Sequence, residues 1–426
     1  MFAGGVSLAN FSGPYEIGAL LVVSIVLLML TAAMVPTTWP TEFRRLAVVA
    51  VGVHLLGSFA RMTLMLGWYG TGDFLKYYAV GLDFAYALRE FDARPFLEAE
   101  QLWGTAFVER VTACVLLVVG PSLRAAFAVF SFFPTVGMLL IAITVLRAFR
   151  GNIDRRRLVY LLLLWPSLVF WPSSIGKESL MLLALGLVVR GWWGNGVRVQ
   201  WPFLFGGLTL ALFIRPHMAM MIAIALAVAD WIAPAQRLSA GRIARGVFLA
   251  ALAVFVGAAG LRQLGVEATQ EAVMQFAAQR SARTAQGGSQ FGALSGPLVA
   301  PFAFVNVLAR PFLWEVRNPL SLLSSFEVLF FWFLLWSRRQ DIGGMFRRWR
   351  ESRLLLFVVP LTIVLVLFYG AFVSNMGILA RQRVVVLPFM FILAEVAPAF
   401  RRRTPSVKPV GNANRFSVGR PLEAPL

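Results

Sequence analysis

Residues 17–35 read IGALLVVSIVLLMLTAAMV, nineteen positions without one charged side chain. At about 1.5 Å of rise per residue such a helix is roughly 28 Å long, close to the ~30 Å of a bilayer's hydrocarbon core. No basic residue precedes it, and its apolar run is long, so it reads as a retained span and not as a cleaved leader. Ten further stretches read the same way: 46–67, 125–147, 158–174, 179–195, 201–215, 217–233, 246–261, 318–337, 354–374 and 384–400. The whole chain agrees. Over 426 residues it is 59% hydrophobic and only 14% charged, with a mean hydropathy of +0.75. Soluble domains carry about a quarter charged residues, and disordered chains are poor in apolar ones. The expected class is all-α, a polytopic helical membrane protein of about 11 spans with interfacial or re-entrant helices on its outer face. One cysteine, Cys114, permits neither an internal disulfide nor a Cys-rich metal site.

A net charge of +19 would ordinarily point to nucleic acid. Here no nucleic-acid motif accompanies it, and the basic residues sort by membrane side. Arg44/Arg45, the run Arg147 to Arg157, Arg190/Arg198, Arg237/Arg242/Arg245, the cluster Arg338 to Arg353 and the tail from Arg401 together hold 24 of the 39. All lie in the cytoplasm if the N-terminus is outside and eleven spans follow, as the positive-inside rule demands. The C-terminus is then cytoplasmic and the membrane is the cytoplasmic (inner) one. Residues 1–400 form one transmembrane domain, and 401–426 a basic, disordered tail.

Two outer loops are large, 68–124 and 262–317. Within them, residues 104–120 (GTAFVERVTACVLLVVG) are half apolar but carry Glu109 and Arg110. An amphipathic helix at the outer interface fits them better than a span. Residues 298–314 are read likewise, as interfacial or re-entrant. The second loop holds a Gly/Ser-rich stretch, Thr284 to Pro297. No internal repeat of fixed period is visible.

Candidate chemistry collects at the outer face. In GDFLKYYAVG (Gly72 to Gly81), Asp73, Tyr77 and Gly81 recur every four residues and share a helix face. At the first turn of that helix the dipole favours a carboxylate, which suits a general base or a ligand for a divalent cation. The plain alternative is an N-terminal cap. Basic motifs recur where spans meet the same face: Gly176-Lys177-Glu178, Arg215-Pro216-His217, Arg310 to Glu315, and Arg381/Arg383, with Arg61 near them. Arginine at membrane depth costs at least about 2.5 kcal/mol, so it faces a cavity, an acid or a ligand. Several at one level fit a lipid phosphate, whereas singly each could snorkel to headgroups. On one helix Arg381 and Arg383 point about 200° apart, so at most one of them faces the cavity, whereas in an extended segment both share a face. Glu395 reads as snorkelling to the cytoplasmic side. Glu327, deeper, needs a partner such as Arg61 or His54. Trp165-Pro166 and Trp171-Pro172 mark a kinked helix.

This layout resembles the GT-C superfamily of membrane glycosyltransferases. GDFLKYYAVGLDFAYAL (Gly72 to Leu88) is similar to the family's Asp-containing loop helix. Residues 104–133 resemble its interfacial helix and the span that follows. FWPSSIGKES and ILARQRVVVLPFMFIL resemble segments of bacterial polysaccharide glycosyltransferases and repeat-unit polymerases. Asp73 is followed by Phe74 where many members carry a second acid.

The resemblance implies a sugar transfer from a polyprenyl-phosphate-linked donor to a glycan or glycolipid acceptor, within membrane lipid and without nucleic acid. Asp73 would be the catalytic base, with Asp83 and Glu109 as second-choice acids. Tyr77 and Tyr78 would lie on the acceptor or loop helix. Lys177, Arg215, His217, Arg310, Arg381 and Arg383 would bind the donor phosphate. No resident metal or cofactor is implied beyond a divalent cation at Asp73. A repeat-unit polymerase using a polyprenyl-pyrophosphate oligosaccharide, and a lipid-linked sugar flippase or transporter, are the competing readings.

Overall fold

The computed structural model describes residues 11–401 apart from 12, 71, 99–100, 150–152, 195, 197, 234–239, 264–298 and 374. Most of the expected loop 262–317, with its Gly/Ser-rich stretch, and the tail from 402 therefore lie outside the described residues, as does Arg237. No strand forms among the described residues. The regular elements are helices α1 (Pro14–Met34), α2 (Thr41–Leu64), α3 (Asp73–Arg89), α4 (Arg94–Leu97), α5 (Thr105–Val119), α6 (Leu123–Ala148), α7 (Arg155–Leu164), α8 (Pro166–Phe170) and α9 (Lys177–Trp193). After them come α10 (Trp201–Ile214), α11 (Pro216–Ile232), α12 (Ala240–Gln263), α13 (Val299–Ala309), α14 (Pro319–Ser337), α15 (Arg339–Arg348), α16 (Arg353–Phe372), α17 (Met376–Arg383) and α18 (Leu387–Val396).

Five helices among the described residues are long and apolar enough to cross a membrane: α1, α2 with its extension to Trp68, α6, α14 and α16. A sixth forms if Met376–Arg383 and Leu387–Phe400, bent by 54°, count as one span. The helices at the expected spans 179–195, 201–215 and 217–233 have 17, 14 and 17 residues, fewer than the roughly 20 a crossing needs. Stretch 158–174 is divided between α7 and α8, because Pro166 cannot continue a hydrogen-bonded helix and instead starts a new one. The kink expected at the Trp-Pro pairs is thus a break.

Small residues let the helices approach closely. Where α6 crosses α9, a Cβ on Gly137 would lie 2.2 Å from the Leu182 carbonyl oxygen, and one on Gly186 would lie 2.4 Å from that of Gly137. Gly370 of α16 meets the Ala303 backbone of α13 in the same way, at 2.2 Å. Residues 299–309 are thereby seated against protein. The start of α6 is tied to α1. The Glu16 carboxylate accepts from the Ser122 hydroxyl at 2.5 Å and from the backbone N–H groups of Leu123 and Arg124 at 3.1 Å, partners that the first turn of a helix lacks.

Charge gathers at two places. At one, Arg156 meets Glu42 at 2.5 Å, Arg157 and Arg338 meet Glu395 at 2.8 and 3.7 Å, and Arg401 meets Asp341 at 2.7 Å. Four stretches expected on one membrane side therefore touch one another. Glu395 does not snorkel: it is fully buried, because these two arginines neutralise it within the protein. Glu327 is also satisfied locally. It accepts from the Ser167 backbone N–H at 2.7 Å and from the Ser167 hydroxyl. Neither expected partner takes it, since Arg61 donates to the Phe170 and Trp171 carbonyls and His54 contacts that of Leu163 at 3.0 Å.

Candidate functional site

The second charged cluster joins the starts of α3 and α9, the break between α10 and α11, and the end of α17. Gly72 leads directly into α3, which places Asp73 in its first turn. Tyr77 and Gly81, one and two turns on, are buried, and Gly81 lies so close to α5 that a Cβ would meet Thr112 at 2.9 Å. Asp73 itself stays open, its side chain 65% exposed. The face that holds α3 in place thus ends in an accessible carboxylate.

α9 opens with Lys177 and Glu178, and the chain ahead of it is tied down by the Ser179 hydroxyl donating to the Gly176 carbonyl at 2.7 Å. Lys177 Nζ reaches the Thr105 hydroxyl at 3.1 Å. Glu178, one residue ahead of the expected span 179–195, is 2% exposed and accepts from three donors. Arg215 Nη2 sits on its Oε1 at 2.6 Å, Arg381 Nη2 on its Oε2 at 2.9 Å, and Gln382 Nε2 on Oε1 at 3.3 Å. Burial opposes its charge, but Arg381 and Arg215 outweigh burial and hold the carboxyl well below its usual range. Glu178 is therefore an anchor for two guanidiniums, held ionised by them. Arg215 spends a second nitrogen on Gln382 Oε1 at 2.6 Å.

Arg381 is the connecting residue. From Glu178 it extends Nη1 to Asp73 Oδ2 at 3.4 Å, across 308 positions of sequence. Asn375 caps α17, its side-chain oxygen accepting from the N–H groups of Gly377 and Ile378, and this helix separates the two arginines as expected. Arg383 turns away and donates to the Arg310 carbonyl. Arg61, stacked 5.3 Å above the Trp171 ring, lies within Coulombic reach of Arg381, Glu178 and Asp73. Four cations (Arg61, Lys177, Arg215 and Arg381) thus face two carboxylates, an excess of positive charge suited to an anion. Burial and the charge of Asp73 raise the Tyr77 phenol to about 12, so it is a neutral hydroxyl beside the cluster. Burial, reinforced by Arg215, lowers Lys177.

Not every expected residue joins. Asp83 is exposed further along α3. Glu109 is buried and faces Lys76 at 3.8 Å, while Arg110 donates to the carbonyls of Phe96, Gln101 and Ala106. These two charges, which argued for an interfacial α5, are accommodated by protein groups. The Tyr78 hydroxyl donates to the Pro121 carbonyl at 3.0 Å, away from Tyr77. His217 stacks on Phe368 with ring centroids 5.2 Å apart. Arg310 meets Glu315 at 3.4 Å, on the Arg383 side of α17. Glu178 and Gln382 were missed as site residues. The only sequence signal was an acid set between basic motifs. Among the described residues, no group of three or more His, Cys, Asp or Glu side chains is placed to hold a metal ion.

Comparison of the chain with protein-family models, with curated proteins and with solved structures gives no match.

Proposed function

We propose that the protein is a membrane glycosyltransferase of GT-C type, with about eleven membrane-embedded helical segments, its N-terminus outside and its C-terminus in the cytoplasm. It would move a sugar from a polyprenyl-phosphate-linked donor to an envelope or exopolysaccharide acceptor at the outer face of the cytoplasmic membrane. The observation that carries this reading is Arg381, which joins the open Asp73 carboxylate to the buried Glu178 anchor among three further cations. The donor phosphate would lie against Arg381, Arg61 and Lys177, with Arg215 and Glu178 fixing the position of Arg381. As the bond between the sugar and the phosphate oxygen breaks, negative charge grows on the departing lipid phosphate, and pre-set guanidiniums stabilise it. Asp73 would accept the proton of the acceptor hydroxyl as that oxygen attacks the anomeric carbon. A transport reading draws less support, because Glu327, the deep acid it would use, is taken by Ser167.

The test is Asp73→Asn, assayed for glycan product from synthetic polyprenyl-phosphoryl sugars in membranes that contain the full chain. Product should be abolished while unfolding stability changes by less than about 0.5 kcal/mol, as for an exposed surface group. Full product formation by the variant refutes the general-base assignment.

A further inference from the structure

Trp171, whose ring carries Arg61, also lines an open cleft of about 90 Å³, together with Pro311, Glu315, Ser324, Met376 and Ala380. Its lining mixes apolar side chains with polar groups, two of which have no partner among the described residues. Ser324 is largely buried as a residue, and its hydroxyl, which lines the cleft, has no hydrogen-bond partner among the described residues. The Trp171 indole N–H also has none among the described residues; its backbone N–H donates to the Ser167 carbonyl and its own carbonyl accepts from Arg61. Glu315 spends one carboxylate oxygen on the Phe312 N–H at 2.9 Å and keeps the other near Arg310 at 3.4 Å.

An alkyl chain in this cleft would leave the Ser324 and Trp171 donors unpaired, at a cost. An anion would meet Glu315. A saccharide ring answers both demands, since its C–H face would lie on Pro311, Met376 and Ala380 while its hydroxyls would pair with Ser324 and Trp171 and it would carry no charge against Glu315.

The cleft and the cation cluster share a wall. Arg61 covers one face of Trp171, and Ala380, at the edge of the cleft, immediately precedes Arg381. We propose that this cleft is the subsite for the donor's sugar ring, with Trp171 and Ser324 setting sugar preference. The inference rests on the phosphate-binding role of the neighbouring cluster.

The experiment uses the purified full chain in lipid nanodiscs and two kinds of probe. Citronellyl methyl phosphate carries the charge of a donor phosphodiester without a sugar. The second kind is a panel of citronellyl-phosphoryl sugars bearing glucose, galactose, mannose, N-acetylglucosamine or arabinose. At least one phosphoryl sugar should bind about tenfold more tightly than the methyl ester. Trp171→Phe, which keeps the ring under Arg61 but removes the N–H, and Ser324→Ala should each cut that preference by about three- to tenfold. Both variants should bind the methyl ester as wild type does, which also certifies their folding. Methyl ester binding without any sugar preference, or a preference that survives both substitutions, overturns the subsite alone. Failure of every probe, the methyl ester included, overturns the phosphate reading and the subsite with it.

Discussion

Replacing Glu178 by alanine removes the one carboxylate that two buried guanidiniums share. Arg215 is left with its side chain 11% exposed, so water cannot take over the lost contact at 2.6 Å. Arg381, 27% exposed, keeps a longer contact to Asp73. Breaking a buried pair from one side costs about 3–5 kcal/mol, because the remaining charge stays desolvated. The expected loss for Glu178→Ala is in that range. Adding Arg215→Ala should give a double variant that is more stable than the sum of the two single losses predicts, by about 0.5–3 kcal/mol.

Unfolding free energies from reversible denaturant titration in mixed micelles provide the measurement. A loss below about 1 kcal/mol, or strict additivity, would refute the anchor role. The pH dependence follows from the direction of the shift. The folded carboxyl titrates below its ordinary value of 4.5, so its contribution is complete above about pH 4.5 and declines as pH falls through the depressed folded value. The stability gap between wild type and Glu178→Ala should therefore be constant from pH 8 to pH 5 and narrow only in stronger acid.

The topology predicts that an alkaline-phosphatase fusion at residue 95 is active and one at residue 345 is not; activity at 345 would place Asp73 on the wrong side for an outer-face donor. Arg381→Lys keeps the charge but loses the guanidinium fork, so citronellyl phosphate should bind about ten- to a hundredfold more weakly. Arg383→Lys, at a residue that supports the Arg310 carbonyl, should leave that affinity unchanged; equal losses at both positions would remove the distinction between them. Gly186→Ala forces a methyl against the Gly137 backbone at 2.4 Å and should destabilise by about 1–3 kcal/mol, the usual cost of overpacking. An unfolding titration indistinguishable from wild type would mean that α6 and α9 do not cross there.

What was legible without coordinates was whatever depends on neighbours in the chain. Runs 17–35, 46–67, 125–147, 318–337 and 354–374 each coincide with a long apolar helix, because a solvent of hydrocarbon imposes its requirement residue by residue over one continuous segment. The helix beginning at Asp73 and the shared face of Asp73, Tyr77 and Gly81 followed from helical periodicity, as did the divergence of Arg381 from Arg383 once their segment is helical. Composition also located the basic motifs, though not their partners.

Those partners are long-range. Glu395 finds Arg157 across 238 positions, Glu327 finds Ser167 across 160, and Arg381 finds Asp73 across 308. A buried charge takes whichever opposite charge or donor the packing brings within a few ångströms, and that distance leaves no trace in local spacing. Glu178 illustrates the difference. In the sequence it is one acid in a short basic motif. The crossing of α6 and α9 through Gly137 and Gly186, together with the meeting of α9, α10 and α17, turns it into the anchor of the site. Local chemistry determined which residues could carry charge, and only tertiary packing decided which charges meet.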